Sequence, residues 1–349
     1  MARDKVFKIL NITKHHYYYK PKSTRSGRKY TDYTIRQSEE QIEVANEEVV
    51  QRIKEIQTNF DTNYGYRKMT KQLQIDGYII NHKKVYRLMK EHDLLKEKHK
   101  KKEKTYAKYR IITPEEPLRV IEMDIKYVWT TKSRQHAYIL TVIDTFTRFV
   151  LHWQVGHSMK SLQVKTAWDE IIEHYLQPED LLNRKIDVEI RNDNGPQFGS
   201  KVIRAYFEQN KLNQVFTHPY TPQENGHVES FHAILSKSLE RQEFWDIEEL
   251  ENRLILFYET YNNTRLHGSI ANLPPRLFWE LWKKDLIEKR VLKNKKQKFK
   301  LKIPYHQLSG NMSPKGVPCL NLDGLNAHLN LNNNKEAVEL ESLQLQPSV

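Results

Sequence analysis

Apolar residues recur along this chain with two different periods, and the change of period divides it. From Glu47 onward, Val49, Val50, Ile53 and Ile56 fall three and four apart with charges between them, the spacing of one helix face. Met69 and Leu73 mark a second short helix and Asp76-Gly77 a turn. Asn81 is placed to N-cap a third helix carrying Val85, Leu88 and Met89. Three short helices with a glycine turn before the last predict a helix-turn-helix-type DNA-binding region over residues 47–95. Its final helix would present Lys83, Lys84 and Arg87 to solvent and to a major groove. A plain helical hairpin with a basic outer face has the same pattern.

At Val120 the period falls to two. In VIEMDIKYVW, Ile121, Met123, Ile125, Tyr127 and Trp129 share one face, and Glu122, Asp124 and Lys126 the other. Residues 138–143 and 148–155 predict two more strands joined through DTFT as a hairpin. Residues 161–177 form an amphipathic helix with Leu162, Ala167, Trp168, Ile171, Ile172 and Tyr175. A strand at 186–192, a helix at 200–210, a strand at 213–217 and a long helix at 226–242 follow. The order β-β-β-α-β-α-β-α predicts an α/β fold, a mixed five-stranded sheet with helices on its faces. A further helix spans 247–262.

The rest reads as connection. Residues 1–46 hold a short helix and a basic, Pro-, Gly- and Ser-containing linker at 20–38. Residues 96–116 form a lysine-rich linker, 117–245 the core, 246–282 a helical extension and 283–349 a basic, then Asn-rich tail. Little in residues 305–349 has the period of a buried element.

Charge adds a partner. The 349 residues carry a net +13, distributed as +13 over residues 1–110, −6 over 111–280 and +6 over 281–349. Basic flanks around an acidic core point to a polyanion, most simply double-stranded DNA. A single cysteine, Cys319, excludes an intramolecular disulfide and a zinc site built on paired cysteines, and suits a reducing cytoplasm. With no apolar run near 20 residues and no signal-like start, neither membrane insertion nor secretion is expected.

Three acids stand where elements present them: Asp124 mid-strand, Asp193 at a strand end beside a glycine turn, and Glu229 in the first turns of the long helix. Singly, each has an ordinary reading as a solvent-facing, turn or helix-start acid. Converged, they would repel one another unless hard cations, Mg²⁺ or Mn²⁺, neutralised them. Two such ions can serve phosphodiester chemistry.

The strings MDIKYVW, YILTVIDTFTRFVLHW, RNDNGPQFGS and HPYTPQENGHVESFH resemble the retroviral-integrase-type core of bacterial insertion-sequence transposases. Thirty-five residues lie between Asp193 and Glu229, the spacing of that family's acidic DDE triad. YGYRKMTKQL upstream and NNTRLHGSIANLPPRLFW downstream resemble further segments of the kind encoded by the second of two overlapping reading frames.

The resemblance covers about Lys5 to Trp279. It implies an RNase H-like fold and metal-dependent DNA cleavage and strand transfer. Asp124, Asp193 and Glu229 would be the catalytic, metal-binding acids, holding two Mg²⁺ per site with Mn²⁺ as a substitute. It further implies DNA contacts through Arg67, Lys68, Lys83, Lys84, Arg87, Gln223, Asn225, Lys237 and Arg265, and a homo-oligomer on DNA in the bacterial cytoplasm, at the nucleoid. A partner protein from the upstream frame is also implied.

Two departures stand out: Lys126 replaces a usual Thr, and the basic residue after the glutamate is displaced to Lys237. His15 and His16 lack the cysteines of a retroviral zinc module. An RNase H-like nuclease without joining activity, or a DNA-binding regulator with an inactive core, would share much of this pattern.

Overall fold

The computed structural model describes residues 3–18, 30–37, 40–97, 114–183, 187–217, 225–240, 242–292 and 297–308. Two short helices, α1 (Arg3–Ile9) and α2 (Lys14–Tyr18), precede a small domain. That domain holds β1 (Tyr33–Gln37), β2 (Gln41–Ala45), α3 (Asn46–Thr58), α4 (Tyr66–Ile75), β3 (Tyr78–Ile79) and α5 (His82–Glu91).

Its three helices bury the predicted residues: Val49, Val50, Ile53, Met69, Leu73, Val85, Leu88 and Met89 form one apolar cluster. Asn81 caps α5, its side chain accepting from the Lys84 amide at 2.9 Å. Part of the predicted linker is a strand instead. Tyr33–Gln37 pairs with β2 and β3 in a three-stranded sheet, ordered β2-β1-β3. Its backbone hydrogen bonds to two partners, so the local Gly, Pro and Ser signal upstream did not decide its state.

The core sheet is β6-β5-β4-β7-β8, built from β4 (Val120–Thr130), β5 (Gln135–Asp144), β6 (Val150–Gly156), β7 (Val188–Asn192) and β8 (Leu212–Phe216). The first three strands are antiparallel; β7 lies parallel to β4 and β8 parallel to β7. This is the mixed sheet that the order of elements predicts and the RNase H-like fold that the resemblance implies. α6 (Ser161–Ile171), which continues as a π-helical turn through Leu176, and α7 (Lys201–Gln209) cover one face. There Ile121, Met123, Val142, Trp168, Ile190 and Phe207 pack together. α8 (Gly226–Leu239) and α9 (Ile247–Asn263) cover the other, joining Ile139, Ile143, Val228, Phe231, Leu235 and Phe257.

Cover on both faces changes the expected character of β4. Glu122 is fully buried, while Tyr127 and Trp129, expected on the apolar face, are 55% and 51% exposed because the strand runs past the covering helices. Leu162, in the first turn of α6, is likewise exposed, whereas Ala167, Trp168, Ile171 and Ile172 are buried.

The lysine-rich segment after Trp282 also has structure. After α10 (Pro275–Lys283), β9 (Ile287–Val291) and β10 (Gln297–Leu301) form an antiparallel hairpin. Ile287, Leu301 and Leu308 pack with Phe146 and Phe278, and the Tyr305 hydroxyl donates to the Ala271 carbonyl. Burial of Leu308 corrects the reading of everything from residue 305 as unpatterned; residues 309–349 lie outside the described part.

The small domain is docked on the core. Leu266 enters its apolar cluster, the Leu266 amide donates to the Tyr64 hydroxyl at 2.8 Å, and Arg253 of α9 reaches buried Asp61 at 2.8 Å.

Candidate active site

Strand pairing brings the first two acids together. Glu122 of β4 lies opposite Arg191 of the parallel strand β7, so two residues further on Asp124 and Asp193 run side by side. Asp193 leaves the strand in a tight turn whose Gly195 amide donates to its carboxylate at 3.0 Å. A side chain at Gly195 would collide with Gln197 and come within 3.0 Å of that carboxylate. A methyl group there would have to push the Gln197 side chain aside and would press on the acid.

Glu229 reaches the same region from the first turn of α8. Its carboxyl is pushed up by burial, then by the charges of Asp124 and Glu122. The Asp193 carboxyl is pushed up by burial and by Asp124, against the Gly195 amide that stabilises its charge. Asp124 is thus the acid whose charge both others feel. Its Oδ1 accepts from the Ile125 amide at 2.8 Å, and its Oδ2 lies 3.3 Å from His232 Nδ1. Half-buried Lys126 follows on the same strand face, its amine pushed down by burial while Asp124 holds it up.

Among the described residues, no three His, Cys, Asp or Glu side chains stand close enough to hold a metal ion as they are. The acids share an electrostatic field without closing into a ligand cage. Their chemistry nonetheless fits a hard divalent cation: the donors are carboxylate oxygens, and their mutual repulsion is what a cation would relieve.

Sequence reasoning missed Glu122 and His227. Glu122 Oε2 accepts from the His227 and Val228 amides at 3.0 and 2.8 Å, and Oε1 pairs with His227 Nδ1 at 2.9 Å. Burial pushes the Glu122 carboxyl up to about 7, against the opposing pull of the Val228 amide, Arg148 and Arg191. Strand alternation alone placed it on a polar face, and only the position of α8 shows that this face is covered.

The expected DNA contacts separate into groups. Lys83 is exposed on α5. Lys84 instead donates to Thr31 and to the Tyr33 carbonyl, and Arg87 lies 4.1 Å from the Tyr30 ring centre, because β1 and the residues before it pack beside this helix. The expectation that all three face solvent is corrected for the latter two.

Lys68 donates to the Leu266 carbonyl at 2.8 Å, and Arg265 to the Asp61 carbonyl, both at the junction with the core. Lys68, Lys96 and Arg265 repel one another there, and Lys96 also feels Lys237 of α8. Arg67 and Lys237 are exposed, Asn225 is buried just ahead of α8, and Gln223 lies outside the described residues.

Two segments of this core, residues 114–222 and residues 210–275, match families described as the integrase core domain. Residues 114–275 are thus similar to integrase core domains. Residues 44–102 match an HTH-like domain, which agrees with the three helices of the small domain.

The chain is also similar to insertion-element proteins. A 39.2 kDa uncharacterised protein of insertion element IS476 from Xanthomonas euvesicatoria is 26% identical over 217 residues, 62% of this chain and 60% of that protein. The chain therefore spans less than two thirds of that relative's length. The transposase for insertion sequence element IS904 of Lactococcus lactis is 23% identical over 256 residues, 70% of this chain and 97% of that protein. Among solved structures, a simian T-cell lymphotropic virus intasome is similar over 64% of this chain and 73% of that one, at 17% identity and a TM-score of 0.41. No helix among the described residues is long and apolar enough to cross a membrane.

Proposed function

We propose that this chain is a DDE transposase that cleaves the ends of a mobile DNA element and joins them to a target. The observation that carries the reading is the convergence of three acids from β4, the end of β7 and the start of α8, with the charge of Asp124 felt by both Asp193 and Glu229. The integrase-type core supports it. Asp124, Asp193 and Glu229 would hold Mg²⁺, or Mn²⁺ in its place. Bound there as a pair, the ions would supply Lewis-acid stabilisation of the attacking and leaving oxygens of a phosphodiester.

The protein's own contribution is positioning. The Gly195 amide orients the Asp193 carboxylate, and His232 braces that of Asp124. The attacking group is water in cleavage and a DNA 3′-hydroxyl in joining. Neither step needs a covalent bond between protein and DNA. Exposed Arg67, Lys83 and Lys237 would contact phosphates, with Lys96 at the junction between the domains. The chain would act as a homo-oligomer on double-stranded DNA in the bacterial cytoplasm, with an upstream-frame product as a possible partner in the same complex.

The test is strand transfer of a labelled element end into a plasmid, with Mg²⁺ and with EDTA. Joining that persists in EDTA would refute the metal-dependent reading. Cutting without joining would identify a nuclease, and DNA binding with neither activity a regulator.

A further inference from the structure

α8 must hold Glu229 at a fixed height above β4, yet its own sequence provides no cap. Asn225, at the N-cap position, makes no side-chain capping bond and lies outside the extended conformation usual there. The first helical residue is Gly226, so His227 and Val228 carry the second and third amides of the helix. Those are the two that a capping side chain normally satisfies. Both donate to one oxygen of Glu122, more than a hundred residues earlier in the chain, at 3.0 and 2.8 Å. The other oxygen holds the His227 ring at 2.9 Å. The whole carboxylate is shielded from solvent.

We infer that Glu122 is the tertiary cap of α8 and a positioning residue for the active site, fixing Glu229 against Asp124. The connections on either side are short. Glu122 lies two residues before Asp124 on the same face of β4, and Val228 is bonded directly to Glu229. Apart from the single contact of His232 Nδ1 with Asp124 at 3.3 Å, the other contacts named between α8 and the sheet are apolar, through Val228, Phe231 and Leu235. Apolar packing is non-directional and tolerates a small slide of a helix along a strand. Hydrogen bonds to two successive amides do not, because their geometry weakens steeply off axis. The carboxylate therefore sets the register that the core packing leaves loose.

This inference rests on the reading of Asp124 and Glu229 as ligands of one metal site. The experiment is Mn²⁺ binding to the full DNA-free chain, read from the electron paramagnetic resonance of free Mn²⁺ well below the melting temperature. It uses Glu122→Gln, Glu122→Ala, Glu122→Asp and Glu229→Gln. A glutamine keeps the length and an acceptor for both amides, so Glu122→Gln should bind Mn²⁺ within about threefold of the parent. Glu122→Ala should weaken binding at least tenfold. If Glu122→Ala does not fold, Glu122→Asp decides: its shorter side chain cannot reach both amides from β4, and it should also weaken binding severalfold.

Parent-like affinity in the alanine variant, or in the aspartate variant where alanine does not fold, would overturn the inference. So would a tenfold loss in Glu122→Gln, since the charge and not the cap would then matter. Glu229→Gln separates the two readings. If it leaves Mn²⁺ affinity unchanged, the metal-site assignment of Glu229 fails. If it weakens binding while Glu122→Ala and Glu122→Asp do not, only the cap fails.

Discussion

Replacing Lys68 with methionine should make the protein more stable at neutral pH, although it removes a hydrogen bond. The Lys68 amine donates to the Leu266 carbonyl at 2.8 Å and sits near Arg265 and Lys96. Burial first, then those two cations, push it down from 10.5 to about 8. That drop corresponds to about 3 kcal/mol, charged in the fold against charged in the unfolded chain. Methionine keeps most of the apolar stem and removes the charge. Losing the bond to Leu266 returns about 1–1.5 kcal/mol, which leaves a net gain of about 1–2 kcal/mol.

The sign in pH follows from proton binding. Between 8 and 10.5 the unfolded chain holds this proton more tightly than the fold, so the parent gains stability as pH rises through that window. Below 8 the cost is complete, and above 10.5 it is gone. The advantage of Lys68→Met should therefore be largest at pH 7, with about half of it or more lost by pH 9.5. Urea unfolding at both pH values, with unchanged slope, measures it. A variant less stable than the parent at pH 7, or a gain that does not shrink at pH 9.5, would refute the reasoning. DNA affinity should change less than about twofold in the same variant, since the amine is spent on the junction between the domains.

The remaining predictions concern the site and its flanks. Asp124→Asn, Asp193→Asn and Glu229→Gln should each lower strand transfer by about a thousandfold or more while DNA binding survives, and exposed Asp187→Asn should stay active. Gly195→Ala should reduce strand transfer while changing stability by less than about 1 kcal/mol in urea unfolding, because its methyl group displaces the flexible end of Gln197 and presses on the Asp193 carboxylate. Replacing Arg67 and Lys83 together with alanine should weaken binding to every DNA sequence and flatten the salt slope by about two. Leu308→Ala should cost about 2–4 kcal/mol in the same unfolding measurement, showing that the packed structure reaches that residue.

Much of this protein was set by local sequence. A 3.6-residue period and an asparagine cap define the helices of the small domain, because they depend only on neighbours within a few positions. Alternation in VIEMDIKYVW and the order of elements after it define the mixed sheet. The three acids proposed for the site were picked out because each sits at a strand or helix position that presents it, spaced as in the family the chain resembles.

What tertiary structure decided is which faces are covered and what lies across from them. Period-two alternation separates two faces of β4 but cannot say that α8 seals one of them, so it put Glu122 on the polar face without showing that it is buried on two amides of that helix. Lysines carry the same signal on a DNA-facing helix as at a domain junction. Only the docking of Leu266 and Tyr64 shows that Lys68 is turned inward. The strand at Tyr33–Gln37 and the lysine-rich hairpin β9–β10 exist because partners supply backbone hydrogen bonds and apolar surface from far along the chain. Short, weakly patterned segments have no such support of their own.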